Sequence, residues 1–223
     1  MRIVIPLFER FTALDAVGPY EVLSRLPGAE VVFVATETGP VRADTGALAL
    51  TADGRLDDMD SCDVLVVPGG PGTRSLMHQP ELTGWIRRVH ESTQWTTSVC
   101  TGSLLLGGAG VLEGLDATTH WSATDLLESF GARYTDQRVV QQGKIVTSAG
   151  VSSGIDMALT LAGMIAGGGV AKAIQLAIEY DPQPPFDCGS VTKAGPEVVN
   201  VVRTVVAAGN DGHAATTPPA NGK

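Results

Sequence analysis

Three features have the residue types and spacing for chemistry: Cys100, Asp15 and the glycine run around Gly70. Cys100 stands in TTSVCTGSLLLGGAGVL, where a β-rich run ends at Val99 and an apolar helical pattern begins at Gly102. A side chain on such a strand-to-helix turn is held up and exposed. The N–H groups and positive end of the following helix lower a thiol's pKa and raise its thiolate fraction. Gly102 permits close approach and Ser103 can help to cap the helix. The chemistry would be nucleophilic attack. The other reading of Cys100 is a small buried core residue, since free cysteines are often buried. The loop Pro68–Gly72 (PGGPG) follows the apolar run Asp63–Val67. Its glycines leave N–H groups open to an anion or half an oxyanion pocket, or they form a plain tight turn. The Lys and Ser/Thr of a phosphate loop are missing. Asp15, in FTALDAVGPYEVL, lies where a helix begins after the first strand. It reads as a helix cap or, beside a thiolate, as a proton donor, because two neighbouring acids cannot both ionise easily. Pro19 suits a first helical turn, and Glu21 is a second carboxylate one to two turns further on.

The histidines narrow the options. There are four: His78, His90, His120 and His213. A cysteine hydrolase needs a base within hydrogen-bond reach of the sulfur. The late segment AGVSSGID, Ala149–Asp156, contains none. His120, in TTHW, is the one candidate, as a base or as a structural hydrogen-bonding residue.

These residues need a scaffold that brings distant segments together. Apolar strand-like runs at Met1–Leu7, Val31–Ala35, Val64–Val67 and Trp95–Val99 alternate with helical patterns at Ala16–Leu26, Gln79–Glu91 and Gly102–Val111. Gln137–Gln141 and Lys144–Ser148 flank Gln142-Gly143 as a hairpin. Ser152–Ala166, Ala171–Tyr180 and Val198–Ala208 read as helices, with the glycine run Gly167–Gly169 between the first two. Short apolar strands alternating with helices predict an α/β fold with a mostly parallel sheet covered on both faces. In such sheets ligands bind beyond the carboxyl ends of the strands. One domain over residues 1–208 is expected, followed by a disordered tail, 209–223, rich in Gly, Ala, Thr and Pro.

Composition excludes several classes. The chain has 223 residues and a net charge of −9, so its field repels nucleic acid and anionic membranes. No apolar run approaches the ~20 residues of a membrane span, and the opening residues lack the pattern of a signal peptide. Three cysteines, Cys62, Cys100 and Cys188, show no CxxC spacing, so neither a disulfide framework nor a zinc site is expected. The acidic residues Asp57, Asp58 and Asp60 lack the regular spacing of a calcium loop. The expectation is a reduced cytoplasmic protein.

Six segments together resemble the ThiJ/PfpI superfamily, and most closely its isonitrile hydratase group. They are Leu14–Val22 (LDAVGPYEV), Val67–Gly72 (VPGGPG), Val99–Ser103 (VCTGS), Ala117–Trp121 (ATTHW), Ala149–Asp156 and Glu179–Asp187 (EYDPQPPFD). The resemblance spans residues 1–208. It implies a flavodoxin-like three-layer sandwich with a cysteine nucleophile elbow. It also implies Cys100 as nucleophile, Asp15 as its proton-exchanging partner and Thr101 as an essential neighbour. Gly70 and the Thr101 N–H would form the oxyanion-type pocket, and Val151 would line the substrate pocket. A homodimer acting on a small molecule without cofactor is implied. The activity would be addition of water to an isonitrile, giving an N-substituted formamide through a thioimidate. PfpI-type peptidases carry His directly after the cysteine, where Thr101 stands here, so peptidase activity is not expected. The alternatives are a glyoxalase- or deglycase-type cysteine enzyme, and a non-catalytic redox or ligand sensor of the same superfamily.

Overall fold

Aliphatic and β-branched runs form strands that can be buried on both faces once helices cover them. In this computed structural model, which describes residues 1–211, the strands are β1 (Arg2–Pro6), β2 (Glu30–Ala35), β3 (Gly39–Arg42), β4 (Ala49–Ala52), β5 (Gly54–Arg55), β6 (Val64–Val67), β7 (Trp95–Val99), β8 (Asp116–Ala117), β9 (Arg133–Tyr134), β10 (Val139–Gln142) and β11 (Ile145–Ser148). The helices are α1 (Ala13–Leu23), α2 (Thr73–Leu76), α3 (Pro80–Ser92), α4 (Gly102–Gly108), α5 (Thr124–Glu128), α6 (Ser153–Ala166), α7 (Gly168–Ala177) and α8 (Val191–Asp211).

Seven strands make the central sheet in the order β10-β11-β7-β6-β1-β2-β5. All neighbours are parallel except the β10–β11 hairpin. The fold is a three-layer α/β sandwich, with α1, α6 and α7 packed together and α2, α3 and α5 grouped around α4. From β1 the chain moves to β2 on one side, then returns to β6 and runs outward through β7 and β11 on the other. In sheets of this kind the carboxyl ends of the strands flanking such a reversal, here β1 and β6, are where ligands bind. Ile3, Val4, Ile5 and all of β6 are buried, as is the apolar face of α3 with Leu82, Trp85, Ile86 and Val89. Trp85 donates its indole N–H to Met59 O at 2.9 Å.

The apolar runs read from the sequence become the central strands, and Val64–Val67 and Trp95–Val99 match their predicted bounds. Three readings need correction. Helix α1 starts at Ala13, so Pro19 lies inside it rather than in its first turn. The glycine run is broken only at Gly167, whose φ of 84° ends α6; α7 resumes at Gly168. Helix α8 begins at Val191, kinks at Gly195-Pro196 and runs to Asp211. Residues 209–211 of the expected tail are therefore helical, and the remainder lies outside the described residues. By its internal contacts the chain divides into two compact units, Met1–Tyr180 and Asp181–Lys223. The second unit exposes Phe186, Val191, Val198, Val201, Val202 and Val205. Among the described residues no helix is long and apolar enough to cross a membrane.

Candidate active site

Cys100 sits between the end of β7 and the start of α4, with φ at 56°. A residue with a Cβ pays for this left-handed backbone, so the turn holds against a local cost of about 1–2 kcal/mol. Neighbouring strand ends fix it there. The Cys100 N–H donates to Ala149 O at 2.8 Å and Ser148 O at 3.1 Å, and its carbonyl accepts from the Ser103 and Thr119 hydroxyls, each at 3.2 Å. Cys100 is 5% exposed. Its sulfur faces the N–H groups of Thr101 and Val151, the Thr101 hydroxyl and Asp15. Two chain segments thus converge donors on one atom: the start of α4 and the loop leading into α6.

Asp15 is fully buried. Its Oδ2 accepts from the Gly69 N–H at 2.9 Å. Its Oδ1 has no nitrogen or oxygen partner, and the carboxyl's other hydrogen bond is with Cys100. Burial pushes the Asp15 carboxyl up from 3.8 to about 8, against the opposing pull of Gly69 and Cys100. Asp15 is therefore a carboxylic acid, not a carboxylate, at neutral pH. Burial also raises the Cys100 thiol, and an ionised Asp15 raises it further. Protonating Asp15 removes that repulsion and turns a neighbour that opposed the thiolate into a donor. The acid proton on Asp15 and the charge on sulfur thus favour each other.

Thr101 and Gly69 hold this pair together. The Thr101 hydroxyl accepts from the Gly70 N–H at 2.9 Å; its single proton can go to Gly70 O at 3.2 Å or to the sulfur. Gly69 lies between Asp15 and Thr101, where a Cβ would come within 2.5 Å of Thr101 N and 2.9 Å of Asp15 Oδ2. Only glycine fits there.

Asp15, Gly70, Cys100, Thr101 and Val151 are thus gathered along the edge formed by the carboxyl ends of the strands, with two differences of role. The Gly70 N–H is taken by Thr101, and Val151 presents its backbone N–H to the sulfur rather than only lining a pocket. Asp15 is the third residue of α1, not its cap; Thr12 occupies that place. Glu21 is exposed and pairs with Arg25 at 2.7 Å, away from the site. No histidine is among the sulfur's partners. His120 accepts the Ser122 N–H at Nδ1, which leaves its ring proton on Nε2, and burial lowers its pKa. The sequence reading missed Gly69 as the Asp15 donor, and Arg74, whose only signal was a lone cation just past the glycine loop. Cys62 is buried, its thiol pushed up to about 12 by desolvation, whereas Cys188 is exposed in the second unit. Among the described residues no cluster of His, Cys, Asp and Glu could hold a metal.

The fold has counterparts among known proteins. The DJ-1/PfpI family description matches residues 1–164. An isonitrile hydratase of Pseudomonas putida is 43% identical over 91% of this chain and 89% of its own. A THiJ/PfpI family protein from Pseudomonas syringae, known by crystal structure, superposes with a TM-score of 0.89 at 35% identity, covering 96% of this chain and 90% of that one. The HTH-type transcriptional regulator CdhR of Pseudomonas aeruginosa is 30% identical over 81% of this chain but only 53% of its own.

Proposed function

The chain belongs to the DJ-1/PfpI family, and from that premise we propose that it is an isonitrile hydratase-like lyase with Cys100 as nucleophile and Asp15 as proton donor and acceptor. The observation that carries the proposal is the direct pairing of Cys100 with a buried, protonated Asp15. An isonitrile carbon becomes electrophilic when protonated. The pair supplies both needs at one point: a proton for carbon and a nucleophile for the same carbon. The 43% identity to a named isonitrile hydratase supports the same reading.

Asp15 gives its proton to the isonitrile carbon as the Cys100 thiolate forms the S–C bond. The product is a thioimidate, in which carbon carries one hydrogen and is doubly bonded to nitrogen. Asp15, now a carboxylate, takes a proton from water as the water oxygen bonds to that carbon. The C–S bond then breaks, nitrogen acquires the second proton of water, and the thiolate leaves with an N-substituted formamide. Asp15 ends protonated and the sulfur ionised, the reactive form that the resting thiol, raised by burial, reaches by losing its proton to water. The N–H groups of Thr101 and Val151 stabilise the departing sulfur, and the Thr101 hydroxyl can turn toward it. No cofactor is needed for this net addition of water.

We extend the proposal to a cytoplasmic homodimer acting on a small molecule, supported by the apolar side chains the second unit leaves exposed; its mass in solution by light scattering tests that assembly. The chemistry is tested by incubating the protein with cyclohexyl isocyanide and following N-cyclohexylformamide by mass spectrometry. Formamide from the wild type, lost in Cys100→Ala, is expected. Formamide formed equally well by Cys100→Ala would refute the covalent route. No formamide, with lactate formed from methylglyoxal instead, would favour the glyoxalase-type alternative.

A further inference from the structure

The reaction above uses Asp15, Cys100 and Thr101 and leaves Arg74 without a task. Arg74 is the second residue of α2. Its backbone N–H donates to Pro71 O at 3.3 Å, and the hydroxyl of its neighbour Thr73 donates to Gly70 O at 2.8 Å. The residue is thus rooted in the loop whose Gly69 and Gly70 hold Asp15 and Thr101. Its side chain is half-buried. Among the described residues it enters no ion pair and no side-chain hydrogen bond. The guanidinium lies within electrostatic reach of Cys100 and of His120, whose protonated form it disfavours.

The charges at this sheet edge do not balance. Asp15 is protonated, His120 is held neutral and the resting thiol carries no charge, which leaves the Arg74 cation uncompensated. The carboxylate that acts on Asp15 is Asp44, already occupied by the Thr12 hydroxyl at 2.7 Å and the Thr45 N–H at 2.8 Å. The planar fork of this guanidinium matches a carboxylate. His120 adds a second donor nearby: its Nε2 carries the proton and lies over Gly150, next to the Val151 N–H that faces the sulfur.

We propose that Arg74, with His120 Nε2–H as a second donor, recognises an anionic group on the substrate, a carboxylate carried close to the reacting atom. Resting on the hydratase reading, this names the substrate class as isocyano carboxylates. A carboxylate there closes the charge balance and leaves the sulfur chemistry unchanged.

Two readouts keep the two readings apart. The first is independent of turnover: Cys100 is alkylated with iodoacetate or with iodoacetamide, and the modified peptide is quantified over time. Exposed Cys188 is the internal reference. The iodoacetate-to-iodoacetamide rate ratio at Cys100 is expected to fall roughly 10- to 100-fold in Arg74→Gln, the size of a charge-assisted contact, and by less in Arg74→Lys. The ratio at Cys188 should not move. An unchanged ratio at Cys100, or equal slowing of both reagents, would overturn the proposal; the latter would show that Arg74 acts on the thiolate alone. The second readout compares isocyanoacetate with its methyl ester as substrates. Arg74→Gln should raise KM for the anion much more than for the ester, and equal effects on both would overturn the proposal. If the wild type hydrates neither compound, the hydratase reading fails and the alkylation ratio still decides the role of Arg74.

Discussion

Asp15→Asn should stabilise the protein at neutral and alkaline pH while removing its turnover. The wild-type carboxyl is fully buried and titrates near 8, against 3.8 when unburied. The folded state therefore holds this proton more tightly than the unfolded chain does. The resulting stability is present in full below the unfolded value of 3.8, declines as pH rises, and is gone once pH passes about 8. Each pH unit in that window is worth about 1.4 kcal/mol. Between pH 5 and pH 8 the wild type should lose up to about 4 kcal/mol from this one group. Asparagine has almost the same shape, keeps an acceptor for the Gly69 N–H and does not titrate. Urea unfolding of wild type and Asp15→Asn at pH 5, 6, 7, 8 and 9 would give the difference directly. The variant should gain about 2–4 kcal/mol on the wild type between pH 5 and pH 8, and the two curves should run parallel above pH 9. Repeating the comparison in a Cys100→Ala background separates the carboxyl's titration from the sulfur's. Parallel curves across the whole range would refute the claim that Asp15 is a buried acid, and with it the proton donor of the mechanism.

The other predictions follow from the same geometry. The hydration rate should fall above about pH 8, where Asp15 loses the proton it must donate; a kcat/KM profile from pH 5 to pH 10 checks this. Thr101→Val should lower kcat roughly 10- to 100-fold and stability by about 1–3 kcal/mol, because the Gly70 N–H loses its buried acceptor. Gly102→Ala should destabilise by about 1–3 kcal/mol or more in a thermal melt, since its Cβ would overlap Val67 O and lie 2.8 Å from Pro68 O.

The central sheet was legible because its strands are buried on both faces, so aliphatic runs such as Val64–Val67 mark them without help from neighbours. The hairpin β3–β4, the edge strand β5 and the two-residue pair β8–β9 were not. The two-residue strands β5, β8 and β9 are too brief to show a period, and β3 and β4, partly exposed and the former carrying Gly and Pro, lack the unbroken aliphatic run that marks a strand buried on both faces. At the site, Cys100 and Asp15 were legible from their positions after strand ends, but their tuning was not. The raised carboxyl comes from burial, which no local pattern reports. Pro19 deceived for a related reason: its preference for a first turn is a weak local bias, and packing of α1 against α6 extended the helix three residues upstream of the predicted start.

The hydrogen bonds that assemble the site join residues far apart along the chain: Gly69 to Asp15 spans 54 positions, and Gly70 to Thr101 spans 31. The first closes only after β1 and β6 have found each other, the second only after β6 and β7, and parallel pairings of this separation form late and slowly. No fragment that lacks one of these strands can hold a working pair of acid and sulfur. During refolding, compactness and helix content should recover first and catalytic competence last, so the return of activity times the final register of the sheet.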